Sequence, residues 1–188
     1  MDVINFIHET QWDGLPVAVR RQARRCLLDT LGAAIGGSRT KLSQIIRDFA
    51  AFAFGGHGAY LWLDGREVSP PGAALANGMT IDSLDIHDGH PLAKGHAGAA
   101  IVPAVLATIP VKKSVKVTGA ELLTTAVVGY EVALRTGIAL HATASDYHTS
   151  GAWNALGSAA AAARRLGLTA QQTKHAPGHT GIISARTG

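Results

Sequence analysis

The sequence predicts a mainly α fold, an all-helical bundle-like domain, and two observations support this prediction. Several stretches repeat apolar residues every three or four positions, the spacing that marks one face of an amphipathic helix. Capping residues, Pro and Gly stand where such helices begin and end. With 188 residues, 47% of them hydrophobic, the chain is long enough to bury a core. We therefore predict one domain over residues 1–188.

The elements follow in order along the chain. A long amphipathic helix is predicted between Pro16 and Ile35, because Pro suits a first helical turn and a Gly pair follows. A second helical pattern extends to the next Gly pair. The run AYLWL-DG-REVS predicts one small β-hairpin near residues 59–69, since Asp-Gly tolerates the positive φ of a tight turn.

The remaining pattern is helical. Two prolines, Pro70 and Pro71, open an Ala-rich helix, and another helix is predicted from about residue 98 to residue 109. Capping boxes precede two later segments, one formed by Thr118 with Glu121 and the other by Thr169 with Gln172. Between these segments lies the small-residue run GAWNALGSAAAAARRLG, with its last glycine suited to a C-cap.

Composition excludes several classes of protein. The net charge of +4 comes from scattered basic residues, and aromatic residues make up only 5%, so no nucleic-acid partner is expected. No membrane contact and no signal peptide are predicted, and we expect a cytoplasmic protein. The single cysteine, Cys26, lies on an apolar helical face and is interpreted as a core residue.

The segment between the Ala-rich helix and the next one carries the chemistry. Its titratable residues are Asp85, His87, Asp88, His90, Lys94 and His96. One interpretation is a solvated loop with helix-capping aspartates. The other is the floor of a binding or active site, because rigid flanking helices often hold functional loops and histidine changes charge near neutral pH.

Three positions in or near this segment suggest specific roles. A carboxylate at Asp85, near a helix C-terminus, is unfavourable unless a histidine or a substrate pairs with it. His96 precedes a helix N-terminus, where backbone N–H groups favour an anion, so we expect a substrate carboxylate there. His148 precedes another helix start, with Thr149 and Ser150 as candidate N-caps, and helix packing can bring it to the same site.

The order of several segments resembles the MmgE/PrpD family of 2-methylcitrate dehydratase, cis-aconitate decarboxylase and iminodisuccinate epimerase. The matching runs are LLDTLGAAIGG, ALANGMTIDSLDIHDGHPLAKGHAGAAIVPAVLA, TGAELLTTAVVGYEVALR and YHTSGAWNALGSAAAAARRLGLTAQQ, which cover most of residues 24–172. The second run is the distinctive one. The others are mainly helix-packing sequence whose order matters more than their content.

The resemblance implies an all-helical N-terminal domain that forms a homodimer. It also implies proton abstraction next to a carboxylate in di- or tricarboxylic acids, with no cofactor and no metal. By resemblance to the family's motifs, the catalytic residues are Asp85, His96 and His148. We expect His90, Lys94 and Asp88 to bind the substrate.

Departures from the family's pattern accompany this resemblance. Where many members have Asp-Asp-Thr, this chain has the run His87-Asp88-Gly89, and prolines that follow the second and third histidines are replaced by Ala97 and Thr149. Family members are far longer and carry a second, lid domain. The chain is therefore expected to be a truncated member, one half of a split enzyme with a separate lid chain, or a remnant that kept the fold.

Three functions stay open from the sequence. The first is a lyase-type site for a carboxylic acid. The second is a metal-binding helical hydrolase, for which the ligand set would be Asp85, His87, Asp88, His90 and His96. The third is a non-catalytic helical dimerisation module, with an interface on the small-residue face that contains Gly157, Ala160, Ala161 and Gly167.

Overall fold

A computed structural model describes residues 2–109, 116–144 and 150–176 of the chain. The helices are α1 (Val3–Glu9), α2 (Val17–Gly37), α3 (Lys41–Ala53), α4 (Pro70–Asp82), α5 (Gly98–Ala107), α6 (Gly119–Thr143) and α7 (Gly151–Leu166), and residues 170–176 are also helical. The strands are β1 (Ala59–Tyr60) and β2 (Glu67–Val68), which pair antiparallel. The predicted mainly α fold is confirmed, as is the predicted hairpin.

The hairpin is anchored to α4 by one buried amide. Asn77 accepts a hydrogen bond from the backbone N–H of Trp62 (2.9 Å) and donates one to the carbonyl oxygen of Tyr60 (3.1 Å). Val68 is fully buried and lies in an apolar cluster with residues of α3 and α4. The hairpin therefore depends on its packing against α3 and α4, since an isolated hairpin of this size is marginally stable.

The centre of the bundle is the contact between α6 and α7. Trp153 of α7 is fully buried in a cluster with Ile101 and Ala133. The two helix backbones approach closely through glycines, because a Cβ atom added at Gly157 would lie 2.5 Å from the carbonyl oxygen of Gly129. Small residues on α7 therefore serve packing within the chain.

This packing corrects the interface predicted on the small-residue face. Gly157, Ala160 and Ala161 are buried within the chain, and Gly167 adopts the left-handed C-cap of α7 (φ 64°). None of the three buried residues is free to contact a second molecule. The pattern of small residues indicated close helix contact correctly, but the contact is intramolecular.

Both predicted N-caps form, but only the second is a complete capping box, because the Glu121 carboxylate bonds Arg164 and Thr125 and not the N–H of Thr118. Thr118 accepts a hydrogen bond from the backbone N–H of Glu121 (3.1 Å) and begins α6. Thr169 accepts from the N–H of Gln172 (3.2 Å), and Gln172 returns a bond to the N–H of Thr169 (2.9 Å). These side chains satisfy backbone donors that a helix N-terminus otherwise leaves unpaired.

Helix α6 is long and apolar enough to cross a membrane when judged by length and composition alone. In the described structure, however, its residues 124–129 are all buried. They pack in the middle of the bundle, and α5 and α7 lie against this helix. Core packing therefore explains the apolar character of α6.

Helix α3 presents most of its large apolar side chains outwards, which the sequence pattern did not predict, and buries Ile46. Ser43 and Arg47 are buried, and the Arg47 guanidinium donates to the carbonyl oxygens of Ser38 (3.0 Å) and Trp62 (2.8 Å). The exposed apolar side chains on this helix are Leu42, Ile45, Phe49 and Phe52. We call these four residues the α3 stripe. Helix α2 likewise exposes Leu28 and Ile35.

Candidate functional site

The segment between α4 and α5, residues 83–97, is ordered by hydrogen bonds of its own, although Asp85 and Lys94 within it are exposed. The backbone N–H of His90 donates to the carbonyl oxygen of Gly95 (2.9 Å), and Nδ1 of His90 accepts from the N–H of Ala93 (3.3 Å). Asp85 and Lys94 both adopt the left-handed conformation, with φ of 51° and 50°. Non-glycine residues in this conformation are strained and cluster at functional sites.

Asp88 caps helix α5 from within the chain. Its carboxylate accepts the backbone N–H of Gly98 at 3.1 and 3.3 Å from the two oxygens. Burial raises the pKa of Asp88, while the hydroxyl of Tyr130 and the amide of Gly98 act in the opposite direction by stabilising the charged form. The carboxylate at this helix N-terminus is therefore the protein's own Asp88, which occupies the Gly98 amide, whereas the sequence predicted a substrate carboxylate at this end of the helix.

His96 has one ring nitrogen fixed and the other directed to Asp85. Nδ1 of His96 lies 2.6 Å from the backbone carbonyl oxygen of Asp88. A carbonyl oxygen only accepts, so Nδ1 carries the proton and Nε2 is the basic nitrogen of the neutral ring. Nε2 lies 3.6 Å from Oδ1 of Asp85. Asn154 of α7 donates to the carbonyl oxygen of His96 (3.0 Å) and ties this position to the core.

His87 lies directly behind this pair. Its side chain is fully buried, and its ring centroid lies 4.2 Å from that of His96. Nε2 of His87 is 3.2 Å from Oδ1 of Asp82. Within the described part of the chain, neither ring nitrogen makes a hydrogen bond of acceptable geometry. Burial lowers the pKa of His87 and the neighbouring His96 lowers it further, while Asp82, Asp88 and Asp85 act in the opposite direction.

A cavity of about 280 Å³ opens on the other side of the same segment, between α2 and α6. Its walls are mainly apolar, and its polar lining comes from Asp88, His90, Tyr130 and Glu131, with the Cys26 thiol beside them. Burial raises the pKa of Tyr130 and also that of Cys26. The cavity thus offers a hydroxyl and a thiol group next to two carboxylates, those of Asp88 and Glu131.

The structure brings some of the predicted site residues together and separates others. Asp85 and His96 form a pair, and Asp88 is linked to His96 through its backbone. Asp88 and His90 line the cavity. Lys94 is exposed in the turn that joins His90 to Gly95.

His148 lies outside the described residues. Its described neighbour Ser150 packs against the segment, because a Cβ atom added at Gly95 would lie 2.7 Å from Cβ of Ser150. The start of α7 is therefore adjacent to Gly95, the residue before His96.

Several residues around the site were not predicted from the sequence. Tyr130 and Thr30 both face Gly98, since a Cβ atom added there would lie 2.5 and 2.7 Å from their hydroxyl oxygens. A tyrosine within an apolar helix is itself a signal, because a buried phenol usually requires a hydrogen-bonding partner. The contact of Asp82 with His87 had no comparable signal, as it depends on where α4 ends.

The fold and this aspartate–histidine segment define the class of the molecule as an all-helical domain with a candidate proton-transfer site. The chain belongs to the MmgE/PrpD family, because the profile of the MmgE/PrpD N-terminal domain matches residues 2–187. The resemblance found from the sequence is confirmed.

Individual relatives agree with this membership. The cis-aconitate decarboxylase of Homo sapiens is 32% identical over 179 residues, which cover 90% of this chain and 36% of the relative. The cis-aconitate decarboxylase-like protein oryM of Aspergillus oryzae is 28% identical over 186 residues, 94% of this chain and 38% of the relative. The cis-aconitate decarboxylase of Aspergillus terreus is 27% identical over 198 residues, 100% of this chain and 40% of the relative. The chain thus spans about two fifths of the length of these relatives.

Proposed function

We propose that this chain supplies the helical half of a lyase-type site that acts on a di- or tricarboxylic acid. The observation that carries the proposal is the orientation of the His96 ring, which its contacts at Nδ1 and Nε2 define. Its Nδ1 is fixed as a donor by the Asp88 carbonyl (2.6 Å), and its free Nε2 lies 3.6 Å from the Asp85 carboxylate. A neutral imidazole with one basic nitrogen beside a carboxylate is a suitable general base near neutral pH.

The chemistry follows from these positions. Nε2 of His96 removes or returns a proton at the carbon next to a substrate carboxylate, and Asp85 stabilises the imidazolium that forms. Removal of this proton in a dehydration places negative charge on the carbon and its retained carboxylate, whereas loss of CO₂ in a decarboxylation leaves the electron pair on the carbon that carried the departing group. Cations must therefore lie close by. We assign that role to His90 and Lys94, while His148 acts as a second proton-transfer group and Asp88 positions His96.

The exposed Asp85 indicates that this half of the site needs a cover. The Asp85 side chain is 82% exposed, and proton transfer to carbon is favoured when water is excluded. We propose that a lid domain, carried by a separate chain or by further sequence, closes over Asp85 and His96. This half would then be the floor of the site.

We further propose that the molecule acts as a cytoplasmic homodimer. The α3 stripe supports this assembly, because its four large apolar side chains face away from the core. Contiguous exposed apolar surface of this kind marks interaction sites. The stripe replaces the small-residue face of α7 as the proposed contact between the two copies.

The function is tested by turnover of cis-aconitate and 2-methylcitrate, measured for the purified chain with and without a co-expressed lid-like domain. We expect turnover in the covered arrangement and its loss in Asp85→Asn and His96→Asn. His57→Asn is the matched control, since His57 is 88% exposed and pairs with Glu67 in the hairpin. Absence of turnover in both arrangements, with native folding, would refute the proposal.

A further inference from the structure

We propose that the cavity between α2 and α6 binds a small molecule that has an aliphatic body and a primary ammonium group. This cavity is separate from the proton-transfer pair, because neither Asp85 nor His96 is among the residues that line it. The inference does not rest on the proposed lyase function. The proposed ligand is a cation, whereas the substrates proposed for the other side of the segment are carboxylic acids.

The cavity has the size and the lining of a small-molecule site. Its volume of about 280 Å³ is close to the lower end of ligand pockets, which usually measure about 300–1,000 Å³ and have mainly apolar walls. Burial of a short alkyl chain against such walls is favourable. The aliphatic side chains of the walls come from three helices: Val19, Ala23 and Leu27 of α2, Val102 of α5, and Ala126, Val127 and Leu134 of α6.

The charged groups of the lining favour a cation. Asp88 and Glu131 contribute two carboxylates, and His90 is the one basic side chain among the described residues that line the cavity. An anionic ligand would therefore meet like charges at short range, which disfavours binding. A cationic ligand would meet complementary charge.

Asp88 is the carboxylate without a cationic partner. Glu131 already pairs with Arg135 (2.7 Å), and its side chain is 41% exposed. Among the described residues, no lysine, arginine or histidine forms an ion pair with the half-buried Asp88. Burial disfavours the charged form of Asp88 and raises its pKa. An ammonium group beside this carboxylate would offset that cost, because an opposite charge favours the ionised form.

The lining also selects the kind of cation. Quaternary ammonium groups are recognised by cages of aromatic rings, whereas Tyr130 is the one Phe, Tyr or Trp side chain among the described lining residues. A primary ammonium instead has three N–H donors and needs acceptors. The carboxylates of Asp88 and Glu131 and the hydroxyl oxygen of Tyr130 provide them.

The test titrates n-pentylammonium chloride into the ¹⁵N-labelled chain at neutral pH and follows the amide signals by NMR. We expect saturable shifts at residues 88–90 and along the cavity face of α6. Neutral n-pentanol, which has the same alkyl chain, should bind roughly five- to tenfold more weakly, because hydrogen bonds to charged groups are the stronger ones. Hexanoate, which carries an anionic head on the same chain, should not bind.

Two alanine-to-leucine substitutions on α2 form the matched pair of variants. Ala23 lines the cavity, so Ala23→Leu should weaken n-pentylammonium binding by about tenfold or more, because the larger side chain takes the space of the alkyl chain. Ala18 is exposed on the same helix and does not line the cavity, so Ala18→Leu should bind as the parent chain does. Asp88→Asn should remove the preference for n-pentylammonium over n-pentanol.

The circular dichroism of every variant is compared with that of the parent chain. The proposal is overturned if n-pentylammonium causes no saturable shifts, if n-pentanol or hexanoate binds as tightly, or if Ala23→Leu and Ala18→Leu bind equally. These outcomes decide the question even where Asp88→Asn fails to fold, since Asp88 also caps α5.

Discussion

Gly98 is the single residue on which the geometry of the candidate site most depends. The Asp88 carboxylate, the Tyr130 hydroxyl (2.5 Å) and the Thr30 hydroxyl (2.7 Å) all surround the place where a Cβ atom would stand. We expect Gly98→Ala to reduce the free energy of unfolding by about 1–3 kcal/mol, the usual cost of overpacking. Chemical denaturation measures this change.

The matched control for Gly98 is Gly32, a helical glycine of α2 with no heavy atom within 4 Å of an added Cβ. Gly32→Ala should stabilise the protein by about 0.5–1 kcal/mol, because alanine loses less backbone entropy on folding. Equal effects of the two substitutions, or stabilisation by Gly98→Ala, would contradict the packing described for Asp88.

The thiol of Cys26 provides a chemical probe of the cavity. Burial raises its pKa, and Gln22 donates a hydrogen bond to the sulfur (3.3 Å) that opposes this effect. Because only the thiolate reacts, iodoacetamide should alkylate Cys26 more slowly in the folded chain than in the same chain unfolded in urea, and the rate should rise with pH. Mass spectrometry measures both rates. Equal rates in the folded and unfolded chains would show that the fold does not protect the Cys26 thiol.

The sequence predicted a partner for Asp85, either a histidine or a substrate, because a carboxylate near a helix C-terminus is unfavourable alone, and in the structure His96 is next to it. It did not predict the role of Asp88. Whether an aspartate binds a substrate or caps a helix depends on which backbone N–H group lies within reach. That distance between Asp88 and Gly98 is set by the path of the whole segment and not by sequence spacing.

Among the helices, α1, α6 and α7 are joined by one arginine. Arg164 of α7 is 6% exposed, donates two hydrogen bonds to the Glu121 carboxylate (2.9 and 3.0 Å) and donates a third to the carbonyl oxygen of Ile7 (2.8 Å). We expect Arg164→Ala to lower the free energy of unfolding by about 1.5–3 kcal/mol, the range for hydrogen bonds to charged groups. Thermal and denaturant unfolding report this loss.

A second arginine on the neighbouring helix offers the comparison. Arg135 bonds Glu131 one turn earlier in α6 (2.7 Å), but its side chain is 80% exposed. Arg135→Ala should change stability by less than about 0.5 kcal/mol, as expected for an exposed pair at this spacing. If the two alanine variants were equally stable, the predicted contribution of Arg164 to the free energy of unfolding would be wrong.

Helix positions and caps could be predicted from the sequence because they depend on local chemistry. Thr118 and Thr169 cap their helices as the pattern indicated, and Pro70 opens α4. The face that each helix buries was harder to predict. The α3 stripe is apolar and exposed while Arg47 is buried, because the carbonyl oxygens that bind Arg47 belong to Ser38 before the helix and Trp62 in the hairpin, and not to the helix itself.

Among the residues that the structure describes, none covers the α3 stripe. If two copies meet there, a charge at its centre should separate them, because a buried unpaired carboxylate is costly. We expect Ile45→Glu to convert a dimer into a monomer in light scattering, while Gln44→Glu, an exposed position on the same helix, should leave the dimer intact. A parent chain that is monomeric at all concentrations would contradict the assembly.

Carboxylate recognition by residues 85–98 is tested most directly by titrating cis-aconitate into the ¹⁵N-labelled chain, with a chelator present, and following amide signals by NMR. The proposed function predicts saturable shifts in this segment, with weaker binding in both Asp85→Asn and His96→Asn and unchanged binding in His57→Asn. Shifts that are absent, lie elsewhere, or persist unchanged in the Asp85 and His96 variants would show that this segment does not bind carboxylic acids.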